Sequence, residues 1–166
     1  MSKLCVVDNT GTRTPGFVDR YLPALLNQAS HLIVGDFAEV VRSHGLSIVE
    51  WRVLAILADG DAVPVGLLAR KAVTKQSTLT RLLDRMAEQG HIVRLAGGHD
   101  RRLTLIGITE AGRALVEVLV EQAEAQQKRA LAGLDPTHQW QLEHLLRHLI
   151  DSLAADAPGA PRVVGV

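Results

Sequence analysis

Between Asp19 and Ser43 the apolar residues Leu22, Leu25, Leu26, Ala29, Leu32, Ile33, Phe37, Val40 and Val41 return at three- and four-residue steps. That spacing lays one apolar stripe along a long helix. Pro23 is tolerated if the helix starts near Asp19, because the first amides of a helix lack an intrahelical acceptor. Gly45 predicts the end of this helix. Ser47 and Glu50 then stand at capping-box spacing before a second apolar helix, Ile48 to Ala58, which stops at Asp59-Gly60. Two short helical segments follow, Gly66 to Ala72 and Thr74 to Met86, the second with Leu79, Leu82, Leu83 and Met86 as its buried stripe. From Ile92 to Leu95 and from Arg102 to Ile106 the period changes to two, which predicts paired strands with Gly97-Gly98 at the hairpin tip.

Thr109-Glu110 opens another long helix, running to about Ala132, and Gly133 punctuates it. Asp135-Pro136 restarts the chain with a capping side chain and a proline at the first helical position. Leu142, Leu145, Leu146, Leu149, Ile150 and Leu153 make the last helix one-sided. Residues 1–18, rich in Thr and Gly and without periodicity, are read as a flexible N-terminal arm, and 157–166 as a disordered Pro/Gly tail. The fold class is therefore mainly α with a small β-wing. A winged helix-turn-helix module, about 47–109, sits between helical regions of about 19–44 and 110–155 in a domain spanning 19–156. The apolar faces of those flanking helices exceed what the module can cover, which predicts a homodimer.

The bulk charge is uninformative, since 18 Lys and Arg balance 18 Asp and Glu among 166 residues. Its placement changes the picture. Residues 65–102 hold eight basic side chains (Arg70, Lys71, Lys75, Arg81, Arg85, Arg94, Arg101, Arg102) against three acidic ones (Asp84, Glu88, Asp100). A local excess of five on a helix-turn-helix with a wing is the electrostatic footprint of double-stranded DNA binding, with the second helix in the major groove. No nucleophile–base pair, phosphate-binding glycine loop or metal-ligand set argues for an enzyme or a cofactor. The lone Cys5, the lack of an apolar run near 18 residues and the lack of a signal pattern predict a cytoplasmic protein outside the membrane.

Three blocks with their order and spacing resemble the MarR family of transcription regulators: Trp51-Arg52-Val53-Leu54, Ser77 through Met86, and Asp100-Arg101-Arg102. A fourth, Leu105 through Leu115 with Ile108-Thr109-Glu110-Ala111-Gly112-Arg113, is similar to the family's strand end and the opening of its dimer helix. The resemblance covers roughly Tyr21 to Leu153. It implies a winged-helix homodimer that binds pseudo-palindromic operators and loses DNA when a small ligand binds. Two departures stand out. The wing tip reads Gly97-Gly98-His99 where relatives often carry Asp-Pro, and Gln76 occupies a position that is often basic.

With the buried stripe assigned, Gln76, Thr80 and Arg81 are the expected base contacts, and Lys75, Ser77 and Thr78 the expected phosphate contacts. Arg101 and Arg102 are expected in the minor groove, where narrow A·T-rich DNA concentrates negative potential. The family motif implies that Asp100 steadies an arginine there. Arg85 is expected to pair with Glu88 three residues on. The resemblance also implies an effector pocket between the dimer helices and the module, with His31, Trp51 and Arg52 as candidates. An imidazole, a guanidinium and an apolar wall fit an aromatic anion. The expected regulator is a repressor relieved by such a ligand. Its rivals are a redox-responsive regulator using Cys5, a metal-responsive one using His144 and His148 at i, i+4 spacing, and a winged helix used only for protein assembly.

Overall fold

A computed structural model of the chain describes residues 16–60, 62–96 and 104–155. Two units divide it, one up to Gln126 and one from Gln127. The first contains α1 (Phe17–Arg20), α2 (Leu22–Ser43), α3 (Ile48–Ala58), β1 (Val63–Pro64), α4 (Val65–Lys71), α5 (Gln76–Glu88), β2 (Ile92–Ala96), β3 (Thr104–Ile108) and most of α6 (Glu110–Leu131). The second contains the end of α6 and α7 (Pro136–Ala155).

The long first helix is broken, and it begins inside the segment assigned to the arm. An unbroken helix from Asp19 would place Pro23 where its missing N–H should bond the Asp19 carbonyl, and its ring would strike that oxygen. Tyr21 is extended instead, at φ −76° and ψ 109°, and α2 restarts with Pro23 in its first turn. At the other end Gly45 takes φ 75°, the left-handed position that favours glycine. The Ser47–Glu50 capping box of α3 forms as its spacing predicts.

The wing strands pair antiparallel in the register Ile92↔Ile108 to Ala96↔Thr104. A third strand, which no sequence period marks, completes the sheet. β1 adds to the far edge of β3, with Val63 opposite Ile106 and Pro64 opposite Leu105, so the order is β1-β3-β2. Proline cannot donate to a ladder and is accommodated here because β1 is an edge.

Side chains from every layer of the first unit meet in one core. Phe37 and Val41 of α2, Val53, Leu54 and Leu57 of α3, and Leu68 of α4 are buried. So are Leu79, Leu83 and Met86 of α5, Ile92 and Ile106 of the sheet, and Val116 and Leu119 of α6. Leu82, expected in the same stripe, is half-buried at its edge. Each large apolar side chain so buried is worth about 1.5–3 kcal/mol, which fixes which face of α5 remains outside.

The exit from the sheet is pinned by Thr109. Its hydroxyl donates to the Gly90 carbonyl at 2.7 Å and accepts from the Gly112 N–H at 3.0 Å, while its own N–H donates to the His91 carbonyl at 3.1 Å. In the second unit Asp135 Oδ1 accepts from the Thr137 and His138 N–H groups at 2.9 and 3.1 Å, the cap expected for α7. No residue of α7 is buried; Leu146 and Leu149 are half-buried, and Trp140, Leu142, Leu145, Ile150 and Leu153 are exposed. Among the described residues no helix is long and apolar enough to cross a membrane, and no group of three or more His, Cys, Asp and Glu could hold a metal ion.

Candidate nucleic-acid interface

Burial of Leu79, Leu83 and Met86 leaves the other face of α5 to solvent, and Lys75, Gln76, Ser77, Thr78, Thr80 and Arg81 are all exposed there. Lys75 is the N-cap, yet no side chain caps the helix, so its first N–H groups are left as donors for an anion. Thr80 donates its hydroxyl proton to the Gln76 carbonyl at 3.0 Å, which leaves the oxygen as an acceptor on the same face. Arg81 makes no ion pair with any described residue. The turn leading into α5 is tight. Val73 sits at φ 54° between N–H bonds from Val73 to Arg70 O and from Thr74 to Ala69 O, both 3.1 Å. A non-glycine residue there costs about 1–2 kcal/mol, so the turn that aims α5 is held under strain.

Two of the basic side chains are already engaged in ion pairs. Arg94 of β2 bonds Asp84 of α5 at 2.6 Å, tying the wing to the helix. Arg85 does not take Glu88. Its Nε and Nη2 donate to Oε1 of Glu50 at 3.0 and 2.6 Å, across 35 residues of sequence. The other Glu50 oxygen accepts from the Ser47 N–H and hydroxyl, each at 2.7 Å. Burial pushes the Glu50 carboxyl up, but these donors together outweigh it and hold it below the usual carboxylate range. Sequence spacing carries no sign of this pair, because Glu50 in the first turn of α3 and Arg85 in the last turn of α5 meet only through the fold. Asp100, Arg101 and Arg102 lie outside the described residues, as does Cys5.

The expected effector residues divide. His31 and Arg52 line one groove of about 480 Å³ with Asn27, Ser30 and Arg42. Arg52 forms no ion pair with a described residue, so neither Glu50 nor Asp59 claims it. Trp51 turns the other way, packing edge-on against Phe37 with ring centroids 5.2 Å apart and joining the core. Arg42, not singled out from the sequence, is in the groove although its guanidinium also reaches Glu39 and the Ala38 carbonyl.

Comparison with known proteins agrees with this geometry. The family profile described as the MarR family matches residues 44–103, the stretch from the end of α2 to the wing. The homoprotocatechuate degradative operon repressor of Escherichia coli is 31% identical over 141 residues, covering 83% of this chain and 95% of that protein. The crystal structure of a MarR family transcriptional regulator from Silicibacter pomeroyi DSS-3 superposes with a TM-score of 0.73 at 38% identity, covering 83% of this chain and 98% of that one. Bordetella bronchiseptica BpsR, whose DNA binding is regulated by 6-hydroxynicotinic acid, superposes with a TM-score of 0.68 at 26% identity, covering 77% and 97%.

Proposed function

The chain belongs to the MarR family of DNA-binding transcription regulators, and from that premise we propose that it is a homodimeric repressor of a pseudo-palindromic operator. In this reading an aromatic carboxylate in the groove beside His31 and Arg52 releases the DNA. The observation that carries the proposal is the outer face of α5, where Lys75, Gln76, Ser77, Thr78, Thr80 and Arg81 stand exposed around uncapped amides. Gln76, Thr80 and Arg81 read base edges, and Lys75, Ser77 and Thr78 hold phosphates. Arg101 and Arg102 extend the grip into the minor groove, steadied by Asp100.

A second copy is supported by the apolar surface that one chain leaves open. Leu22, Leu25, Leu26, Leu32 and Ile33 on α2 are exposed, as are Leu145, Ile150 and Leu153 on α7. A two-fold dimer that buries such surface sets two recognition helices about 34 Å apart, one DNA turn. The aromatic-acid class is supported by groove chemistry and by two relatives. A guanidinium meets a carboxylate as a fork, and the imidazole offers a second donor. The E. coli relative is named for an operon degrading an aromatic carboxylate, and DNA binding by BpsR is regulated by another.

The test is DNA binding by the purified chain to the promoter beside its own gene, with homoprotocatechuate and 6-hydroxynicotinate as probes. A protected two-fold site, with affinity falling steeply as salt rises, supports the operator reading. Release by either acid, lost in His31→Ala and Arg52→Ala while DNA affinity without ligand persists, supports the groove. Release by hydroperoxide that disappears in Cys5→Ser, with neither acid acting, would replace the ligand reading by thiol sensing.

A further inference from the structure

We propose that Glu50 is a positioning residue for DNA binding, acting through Arg85 on the recognition helix. The inference rests on the reading of α5 as the DNA-contacting element. Glu50 belongs to α3 and is itself hidden, its side chain 1% exposed, whereas that of Arg85 is 57% exposed. Both carboxylate oxygens are committed, one to Ser47 and one to Arg85, so the anion is fixed by the cap of its own helix before it grips α5. The Nε and Nη2 atoms of Arg85 are consumed by that grip, and Nη1 is left for an outside partner.

The outside partner is specified by the neighbours. Ser77, Arg81 and Arg85 follow each other at four-residue steps on one stripe of α5, and with Thr78 they line a single concavity. Among the described residues, no acid on α5 itself holds Arg85. Of the acids on that helix, Asp84 is bonded to Arg94, and Glu88 makes no ion pair with a described residue. A long arginine left loose would lose its rotamer freedom only when DNA arrived, at the expense of affinity. Glu50 orders it beforehand and turns it toward the phosphate that Ser77 and Thr78 also face.

A double-mutant cycle on the full-length chain tests this, with a random-sequence 30-base-pair duplex as the probe and affinity followed against salt. Glu50→Gln is expected to weaken binding about fivefold in the wild-type background and by less than about twofold in Arg85→Ala. Arg85→Ala is expected to make the salt slope shallower by about one, while Glu50→Gln leaves it unchanged because the cation is still present. Arg113→Ala, which removes a side-chain bond to the Ala58 carbonyl away from α5, controls for loss of a structural contact and is expected to leave slope and affinity alone. Should Glu50→Gln fail to fold by circular dichroism, Arg85→Lys keeps the charge without the fork and is expected to lose the same fivefold at unchanged slope. Equal losses from Glu50→Gln in both backgrounds, no loss in either, or tighter binding on removing the anion would each overturn the proposal. Wild-type protein without salt-dependent DNA binding would overturn the reading of α5 itself, a result distinct from a failed cycle.

Discussion

At the scale of single residues, charge burial and close approach set the largest effects. Glu50 is the charged side chain buried among the described residues, and its folded-state carboxyl lies below the unfolded value because Ser47 and Arg85 outweigh burial. A depressed acid contributes stability that is complete above the unfolded value, about 4.3, and is lost as pH falls through the lower folded value. Glu50→Gln is therefore expected to cost about 1–3 kcal/mol at pH 7, less than a fully enclosed pair because Arg85 can return to water. The cost should shrink in acid. Urea midpoints of both proteins at pH 7 and pH 3 check this, and an equal difference at both would remove the charge from the account. Glycine gives the second case. A Cβ on Gly112 would lie 2.1 Å from the His91 carbonyl oxygen and 3.0 Å from Ile108 Cγ1, whereas one on Gly35 would meet nothing within 4 Å. Both residues are helical, and helix propensity alone favours alanine by about 1 kcal/mol. Gly35→Ala is expected to raise the urea midpoint and Gly112→Ala to lower stability by at least about 2 kcal/mol.

At the scale of the element, α5 owes its division of labour to its N-terminus. Three conditions coincide there: the apolar residues are spent on the core, the first amides have no side-chain cap, and the strained Val73 turn fixes the angle of entry. In the proposed reading Gln76, Thr80 and Arg81 meet base edges, while the flanking Lys75 meets the backbone. Gln76→Ala and Arg81→Ala are expected to reduce the ratio of operator to scrambled-DNA affinity, each by about tenfold, which is about 1.4 kcal/mol of discrimination. Lys75→Ala is expected to weaken both duplexes alike. Parallel titrations with the two duplexes decide it, and a Lys75→Ala protein that loses discrimination would reverse the assignment.

For the whole molecule the open question of covered surface becomes an assembly prediction. Leu145, Ile150 and Leu153 are each 64% exposed on α7 of a single chain. An isolated chain would accept a charge there within about 0.5 kcal/mol, since surface substitutions away from special features do little. In a dimer the same charge is trapped in an apolar interface. Leu145→Asp is therefore expected to sediment near the 18.0 kDa chain mass while keeping its helical circular dichroism, against about twice that mass for the wild type. A Leu145→Asp protein that stays dimeric would place the interface elsewhere.

The elements that depend on neighbours in sequence were legible beforehand. The three- and four-residue steps marked α2 and α7; Thr109-Glu110, Ser47 with Glu50 and Asp135 with Pro136 marked helix starts, and Gly45 marked a helix end, because these signals act through one or two turns of local backbone. The exposed face of α5 followed from the same periodicity, and the family resemblance from the blocks around it. What required the fold was decided by partners far along the chain. Two residues, Val63 and Pro64, become a strand only because Leu105 and Ile106 offer them an edge. Trp51 enters the core and Arg52 the groove, though adjacent in sequence, because α3 packs one side on Phe37 and leaves the other open. Arg85 leaves its nearby acid Glu88 for a buried carboxylate 35 residues away, since a desolvated charge demands a partner more strongly than an exposed one does.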